Sequence, residues 1–399
     1  MTTMTSMPKL LLTPLLAALV LAGCASTPAV PPQAELATPA TFKEGDGRWT
    51  VAAPAEAQPR GEWWKAFADP VLDELVEKAA ASNTSIQTAA ARLAQAQALL
   101  RSADAQRRPQ LGVGAGVDRQ HAPAIGTELA TVTQVGANLS YELDLFGRLA
   151  RASNAASLDA QAREALLQST RLLVQAEVAQ SYLSLRALDA ERALVRDTVT
   201  AYQGTLRLTE RRQDVGDVAE LDVVRVRTEV ASTESDAFEL DRRRASVEHA
   251  LAVLVGEAAS SFTVPVREWQ TALPVVPAGV PGTVLARRPD VSAAQASLLA
   301  AQSRVGVAQA AWFPSLTLTG AAGHASPELG DLFRWSARAW SVGALLSLPI
   351  FDGGRREAGV QSANAELQVA QAAYREQILV AFKEVEDQLS ALRLLSDQS

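Results

Sequence analysis

Apolar and polar residues alternate one by one in two well-separated segments of the chain. A period of two predicts β-strands that have one apolar and one polar face. Shorter runs with the same period, at Leu111–Val117 and Leu316–Ala322, predict a partner strand for each segment. The apolar positions of the two long segments are Val135, Ala137, Leu139, Tyr141, Leu143 and Leu145, and Trp340, Val342, Ala344, Leu346, Leu348 and Ile350.

The predicted strands have the length and the faces of membrane-spanning strands. Each is about ten residues long or slightly longer, which crosses a bilayer when a strand is tilted. The polar faces are rich in Gly, Ser, Asn and acidic residues, which suits a water-filled lumen. A soluble sheet packed on helices would show the same alternation, but the pattern leaves no apolar helix face over to cover the strands. Four aromatic residues flank the second pair and are expected at the membrane interfaces: Trp312, Phe313, Trp335 and Trp340.

The central part of the chain predicts two very long helices. No Pro occurs between Pro123 and Pro265. We expect a helix from about Arg148 to Gln213, on the order of 100 Å long, then a turn at Gly216 and a returning helix. Small and apolar residues recur with coiled-coil spacing: Ala162, Ala165, Ser169, Leu172, Ala176, Ala179 and Leu183 in the first helix, and Val224, Ala231, Phe238, Ala245 and Ala252, with a second seam at Leu240, Val247 and Leu254, in the returning helix.

Comparison of the chain with itself reveals a tandem repeat. At a shift of 205 residues, Pro109-Gln110-Leu111 aligns with Pro314-Ser315-Leu316, and Leu145-Phe146 with Ile350-Phe351. After two extra residues around Gly353-Gly354 the shift becomes 207. Each copy reads helix, strand, strand, long helix. We expect a signal peptide at 1–23, a lipidated Pro-rich tether at 24–61, repeat 1 at 62–256 and repeat 2 at 257–399.

The N-terminus is expected to be an export signal. Lys9 precedes an apolar run from Leu10 to Gly23 that is too short to span a bilayer and suits a signal peptide. The run ends at Leu21-Ala22-Gly23-Cys24, which resembles a bacterial lipobox. Because Cys24 is the only Cys in the chain, we interpret it as a lipid-anchored residue rather than as a chance Cys after an ordinary signal peptide.

Composition and charge argue against several classes of function. The chain has 37 Lys and Arg against 44 Asp and Glu, a net charge of −7, which gives no reason to expect nucleic-acid binding. One Cys and three scattered His predict no disulfide and no metal site. No constellation of titratable groups indicates an enzyme or a cofactor other than the lipid on Cys24. Arg242-Arg243-Arg244 is expected to be a solvated helix face, and Gly112, Gly114 and Gly116 are expected within a strand.

One chain supplies four strands, which cannot close a barrel. An open sheet in lipid would leave two unpaired edges, and each unsatisfied backbone group costs several kcal/mol there. Two copies give eight strands and a filled interior, whereas three give twelve strands and room for water. The physical argument excludes a monomer and disfavours a dimer, but it does not distinguish three copies from four.

Several segments together resemble one family, the TolC-like outer-membrane factors, in the branch of NodT-type efflux lipoproteins. The Arg-Arg-Pro-Asp segment that opens the second repeat is the most specific. The resemblance covers nearly the whole chain from Cys24. It implies a fold that is mostly α with transmembrane β, in which a homotrimer forms a twelve-stranded outer-membrane β-barrel and a long α-helical coiled-coil barrel in the periplasm. The segments are Trp63-Trp64, Phe67–Pro70, Ala81–Asn83, Ala91–Leu93, Tyr141–Arg148, Leu285–Val291 and Phe313–Leu316.

The resemblance also implies a function and partners. The turn Val215-Gly216-Asp217-Val218 resembles the hairpin tip that meets a periplasmic adaptor protein. The implied function is the outer-membrane channel of a tripartite efflux pump, a passive duct for drugs or small molecules that works with an inner-membrane transporter of the RND type. The alternatives are a type I protein-secretion duct and a coiled-coil envelope lipoprotein without a pore.

The second repeat departs from the family pattern. A shift of 207 would place its hairpin turn beyond Ser399, so the returning helix is expected to be missing. We therefore expect the lone helix from Arg355 to Leu395 to expose apolar seams, and this exact chain to show reduced or lost efflux. By the resemblance, the missing elements line the inner face of the periplasmic gate.

Overall fold

The computed structural model of the protein describes residue 43 and residues 61–122, 127–267 and 287–398. The predicted signal peptide and Cys24 lie outside these residues. The elements within them are helices α1 Pro70–Ser82, α2 Thr84–Gln106, α3 Arg148–Asp214, α4 Glu220–Leu254, α5 Pro289–Ala310 and α6 Arg355–Gln398, strands β1 Gln110–Ala122, β2 Thr127–Leu143, β3 Ser315–Ser326 and β4 Arg338–Ser347, and short 3-10 turns at Trp63–Phe67, Leu329–Asp331 and Trp335–Ala337.

The four strands form one antiparallel sheet in the order β1-β2-β3-β4. This confirms the predicted strand pairs and adds the pairing of β2 with β3. The two long central helices are also confirmed, and α3 ends within one residue of its expected end. α3 has 67 residues, far more than the average helix of globular proteins.

The sheet register corrects the position of the two extra residues in the repeat. Gln110 lies opposite Ser140, and Ser315 lies opposite Ser347. β1 therefore corresponds to β3 at a shift of 205, whereas β2 already corresponds to β4 at a shift of 207. The extra residues lie in the connection between β3 and β4 and not around Gly353-Gly354, because strand pairing ties each β2 residue to its β1 partner.

The chain divides into two compact units. Within the described residues, the first comprises Ala94–Arg163 and Val291–Val385 and contains the sheet. Its part of α3 is held by polar contacts to α2 and α5, since the Ser153 hydroxyl donates to Asp104 Oδ1 (2.5 Å) and Asn154 Nδ2 donates to Ser303 Oγ (2.9 Å). Gly306 lets α5 approach α3 closely, because a Cβ at position 306 would lie only 2.6 Å from Cδ of Arg151 in α3.

The second unit, which within the described residues includes 61–93, 164–267 and 386–398, has a hydrophobic core. α1 begins with Asp69 as N-cap and Pro70 in its first turn. Apolar residues recur every three or four positions along α1 and form one face of the helix. The face packs with α3, α4 and the segment after α4 in one buried cluster, whose members include Leu72, Leu75, Val76, Ala79, Val178, Tyr182, Leu185, Leu251, Val255 and Val264.

The predicted coiled-coil seams are only partly buried. Ala162, Ala179 and Ala252 are buried, but Leu172 and Phe238 are 47% and 74% exposed. The most deeply buried side chains of α3 are instead Val178, Tyr182 and Leu185. The seams are therefore not by themselves the core of one copy, because a heptad pattern marks a face that packs against another helix without specifying which chain provides that helix.

Candidate functional site

The sheet has one apolar face that runs across all four strands. Residues directly opposite each other in an antiparallel pair have their side chains on the same face. Leu139 lies opposite Leu111 on one side and opposite Gly320 on the other, and Gly320 lies opposite Val342. Large side chains on this face are exposed, and Val113 and Val342 are each 82% accessible. A continuous exposed apolar surface of this kind marks contact with lipid or protein.

The other face of the sheet is small and polar. Gln134 Nε2 donates to Asp118 Oδ2 (2.8 Å), and Arg148 Nη2 donates to both carboxylate oxygens of Glu142 at 2.9 and 2.8 Å. A Cβ built on Gly114 would have no atom within 4 Å. This face fits a wet lumen, although Leu345, opposite Thr317, is a large apolar exception. Its other members include Gly112, Gly114, Gly116 and Asp118, Gln134, Gly136, Asn138, Ser140 and Glu142, Thr317, Thr319, Ala321 and Gly323, and Ser341, Gly343 and Ser347.

Capping carboxylates make the change from strand to long helix. Asp144 Oδ1 accepts the Leu149 N–H (3.0 Å), and Asp144 Oδ2 accepts the Ala150 N–H (2.7 Å). Asp352 does the same for α6, where its Oδ2 accepts the Arg356 N–H (3.2 Å) and Nε–H (2.7 Å). The hydrogen bond from the Arg356 side chain holds the pKa of Asp352 below its usual range. Each of the helices α3 and α6 thus begins a few residues after the end of a strand, at a capping Asp.

Aromatic residues gather at both ends of the second strand pair. At the helix end, Phe146 stacks on Phe313 with ring centroids 4.9 Å apart, and the Arg356 guanidinium lies 4.6 Å from the centre of the Trp312 ring. At the loop end, Trp335 and Trp340 are each 79% exposed. Two aromatic levels separated by the length of a strand are typical of membrane interfaces.

The predicted hairpin tip Val215-Gly216-Asp217-Val218 joins α3 to α4. Gly216 has φ +78°, a conformation that favours Gly. Its N–H donates to the Gln213 carbonyl (2.8 Å), and the Asp217 N–H donates to the Arg212 carbonyl (2.9 Å). These two bonds form a Schellman motif, which satisfies the last carbonyls of α3.

The tip exposes apolar side chains next to two ion pairs that hold the turn and the two helices together. Val215 is 80% exposed and Leu221 57% exposed. Arg212 Nε donates to Asp217 Oδ2 (2.6 Å) across the turn, and Arg227 Nη2 donates to Glu210 Oε1 (3.0 Å) between the two helices. A fixed turn that carries exposed Val and Leu side chains can dock on a protein partner with little loss of conformational entropy.

A buried ion network, which the sequence did not reveal, lies near the core of the second unit. The Asp189 side chain is 1% exposed and accepts from Arg244 Nε (2.7 Å). Arg244 Nη2 donates to the Val264 carbonyl (2.8 Å), Arg186 Nη2 donates to the Pro265 carbonyl (2.9 Å), and Glu248 Oε1 accepts the Val264 N–H (2.7 Å). The network fastens the segment after α4 onto α3 and α4.

The expectation that Arg242-Arg243-Arg244 forms a solvated face is wrong for Arg244. Arg242 and Arg243 are exposed, but Arg244 is buried. Burial acts to lower the pKa of Arg244, but the hydrogen bond and charge of Asp189 and the charge of Glu248 outweigh it and raise that pKa. The only signal in the sequence was the spacing, because Arg244 lies four residues after Leu240 and seven before Leu251 on the buried side of α4.

The part of the chain that the structure describes contains no group of three His, Cys, Asp or Glu side chains that could hold a metal ion. Across the same residues, no helix combines the length and the apolar character needed to cross a bilayer.

Comparison with known proteins yields a family match and many relatives. The family model described as outer membrane efflux protein matches residues 75–257 and 280–399. The solvent efflux pump outer membrane protein SrpC of Pseudomonas putida is 34% identical over 391 residues, which cover 95% of this chain and 82% of SrpC. The outer membrane protein OprJ of Pseudomonas aeruginosa is 35% identical over 337 residues, which cover 82% of this chain and 70% of OprJ.

Solved structures agree with the sequence relatives. The outer-membrane channel OprN superposes with a TM-score of 0.83 at 30% identity, covering 90% of this chain and 82% of OprN. The outer membrane protein VceC of Vibrio cholerae superposes with a TM-score of 0.78 at 28% identity, covering 86% of this chain and 83% of VceC. The fold class predicted from the sequence is confirmed.

Proposed function

The chain belongs to the outer membrane efflux protein family, and from this premise we propose how it forms a duct and with which partners. It is an outer-membrane protein and the channel component of an efflux pump. In our proposal the duct is passive, and its helical tips open and close while an inner-membrane partner supplies the energy.

The proposed assembly is a homotrimer that closes a twelve-stranded barrel. β1 and β4 are the two outer strands of the sheet, so each presents a free edge within the described residues. In lipid, these edges together would cost on the order of tens of kcal/mol, because each unpaired backbone group costs several. Three copies bring the edges together in a ring, and the face with Gly114, Asn138 and Ser341 then surrounds water.

The proposed partners are a periplasmic adaptor protein and an inner-membrane transporter, which we place in the RND class. The hairpin tip supports an adaptor contact, since Val215 and Leu221 are exposed on a turn that the Schellman motif holds rigid. We expect Val215→Asp to abolish binding of the adaptor protein, because it places a charge in an apolar contact, while trimers still reach the outer membrane.

Val253→Asp is the matched control for the tip, because Val253 is 69% exposed near the other end of α4. Co-purification with the adaptor protein after cross-linking would be measured for both variants and for the unsubstituted chain. Unchanged co-purification with Val215→Asp would contradict the proposed contact.

The proposed anchor is a lipid on Cys24. The lipobox-like sequence Leu21-Ala22-Gly23-Cys24 supports it, since acyl chains contribute about 0.8 kcal/mol per buried CH₂. Labelling with radioactive palmitate should mark the chain and should not mark Cys24→Ser. Equal labelling of both proteins would refute the anchor.

The proposed cargo is drugs or other small molecules. The names of the relatives support this class, since they include a solvent efflux pump protein and an antibiotic efflux pump protein. In keeping with such cargo, most of the described polar face carries small uncharged residues, such as Gly114, Ser140 and Gly343.

The two-faced sheet with its free edges is the observation that carries the proposed duct. Purified full-length chain reconstituted in planar bilayers should conduct ions as a trimer. A stable monomer without conductance would overturn the proposal and would favour an envelope lipoprotein without a pore.

A further inference from the structure

The two β-hairpins of the sheet are copies of one building block. Gln110 pairs with Ser140 as Ser315 pairs with Ser347, so the pairings coincide when β1 is shifted by 205 residues and β2 by 207. The residues agree with these shifts, because Val135-Gly136-Ala137 falls on Val342-Gly343-Ala344 and Leu139-Ser140 falls on Leu346-Ser347.

The junction between the two hairpins is the pairing of β2 with β3. In it, Leu139 lies opposite Gly320, Tyr141 opposite Leu318, and Leu143 opposite Leu316. The free edge of β4 corresponds to the edge by which β2 meets β3, and the free edge of β1 corresponds to the edge by which β3 meets β2. The two free edges therefore have the residues to make the same junction a second time.

We infer that β4 of one protomer pairs with β1 of its partner in the register of the β2–β3 junction. The two shifts then place Leu346 opposite the partner's Ala115 and Ala344 opposite the partner's Val117. This inference rests on the proposed closed trimer and specifies the register of its subunit junction.

The faces of the strands agree with this register. Leu346 is 64% exposed and Val117 66% exposed in the single chain, and the register sets these two side chains diagonally across from each other on the apolar face. A slip of one residue would instead set Leu346 opposite the partner's Gly114 or Gly116, which belong to the polar face. A slip of two residues would keep apolar residues opposite apolar residues. The choice among registers that differ by two therefore comes from the internal repeat.

The inferred register also places an aromatic residue of β4 next to Arg119, a charged residue on the apolar face of β1. Arg119 lies two residues after Val117 and is therefore on the same face of β1. In the inferred register Val342 lies opposite the partner's Arg119, and Trp340 lies diagonally across from it. Trp340 is 79% exposed. A guanidinium can stack on an indole over such a diagonal, and this contact offsets part of the cost of a charge near lipid.

Pairs of introduced cysteines test the register in the full chain. Residues directly opposite each other have Cα atoms about 4.5–5.5 Å apart, which lies within the range of a disulfide, whereas diagonal residues are about 7–8 Å apart. The test variant is Leu346→Cys with Ala115→Cys. The slip controls are Leu346→Cys with Val113→Cys and Leu346→Cys with Val117→Cys. The native Cys24 is common to all of them.

Two further proteins control for folding and for oxidation. Tyr141→Cys with Leu318→Cys lies within one chain at a known opposite pair, so it should lose thiol labelling under a mild oxidant without a change in mass. Each single-Cys variant should appear in the outer-membrane fraction and should not form a covalent oligomer through its new Cys.

The expected result is a ladder of covalent dimer and trimer on a non-reducing gel for the test variant, at least about tenfold stronger than for either slip control, since disulfide geometry is specific. A stronger ladder from a slip control would overturn the register. So would the lack of any ladder in a protein that a lysine-reactive cross-linker shows to be a trimer. A protein that stays monomeric under that cross-linker would instead contradict the proposed trimer.

Discussion

Single polar side chains hold the ends of several helices in this protein. Asp69 Oδ1 accepts the Val71 N–H (3.0 Å), and Asp69 Oδ2 accepts the Tyr182 hydroxyl (2.7 Å). Asn83 Oδ1 accepts the Ser85 N–H (2.9 Å), and Asn83 Nδ2 donates to the Leu254 carbonyl (2.9 Å). Each side chain thus caps one helix and ties it to another, which gives both residues a structural role in the segments that carry the family resemblance.

Tyr182 should make the stability of the protein sensitive to alkaline pH. Burial and the hydrogen bond to Asp69 raise the pKa of Tyr182 above its usual value. A raised folded-state pKa contributes stability that is fully present below about pH 10, the unfolded value, and that is lost as pH rises through the folded value. Tyr182→Phe should show a smaller alkaline loss and be about 1–2 kcal/mol less stable at pH 7, as measured by chemical unfolding in detergent. An unchanged alkaline profile would contradict this.

Asp189 should be far more important to stability than an exposed carboxylate. Asp189→Ala leaves Arg186 buried without its anion and Arg244 with Glu248 alone, so we expect a loss of about 3–5 kcal/mol in the free energy of unfolding. Glu239→Ala is the matched control, because the Glu239–Arg242 pair is exposed, and it should change stability little. Similar losses in the two variants would show that the network is not buried in solution.

At the scale of elements, α3 and α4 depend on neighbours and on their turn. Isolated helices gain most of their stability from packing, and the 67 residues of α3 expose several apolar side chains in the single chain, including Leu172, Leu194 and Leu208. We interpret these as faces that other subunits cover. The Schellman motif at Gly216 recurs at the other end of α4, where the Gly256 N–H donates to the Val253 carbonyl (3.1 Å) and the Glu257 N–H to the Ala252 carbonyl (2.9 Å).

Two Gly-to-Ala substitutions should act in opposite directions. Gly216→Ala forces an Ala into the left-handed region and should cost about 1–2 kcal/mol. Gly204→Ala lies inside α3, where the nearest atom to a new Cβ is Arg207 Nη2 at 3.9 Å, and it should stabilise by about 1 kcal/mol. Thermal unfolding of the detergent-solubilised protein would measure both, and a stabilising Gly216→Ala would show that the turn differs from the one described.

At the scale of the whole molecule, the sheet separates lipid from water because alternate residues along each strand lie on opposite faces. Neighbouring positions along one strand therefore belong to different environments. Gly114 lies on the polar face and Ala115 on the apolar face of β1, opposite Gly136 and Val135. A duct with this wall should respond differently to the same side chain at the two positions.

Gly114→Trp should lower the single-channel conductance, because three indoles would enter the lumen at one level. Ala115→Trp adds the same volume on the lipid-facing side and should leave the conductance as it is. Planar-bilayer recordings of the two reconstituted variants provide the comparison. Equal conductance in both would refute the assignment of faces.

The features that could be predicted from sequence are those that depend on near neighbours in the chain. The alternation around Val135 predicted β2, and the long stretch without Pro predicted α3 together with its turn at Gly216. The bonds by which Asp69 and Asn83 hold other helices, and the buried state of Arg244, were not predicted, because each depends on a group far away in the chain, namely the Tyr182 hydroxyl, the Leu254 carbonyl and Asp189.

The sequence by itself determined the two faces of each strand, the extent of the long helices and the existence of a repeat, since these follow from periodicity and from the backbone limits of Pro and Gly. Only the tertiary structure decided the pairing of β2 with β3, the true place of the two extra residues, and which seams are buried in one copy. The physical reason is that a register shifted by two residues presents the same faces, and an apolar seam attracts any suitable neighbour, so contacts distant in sequence must choose between alternatives that local patterns leave equal.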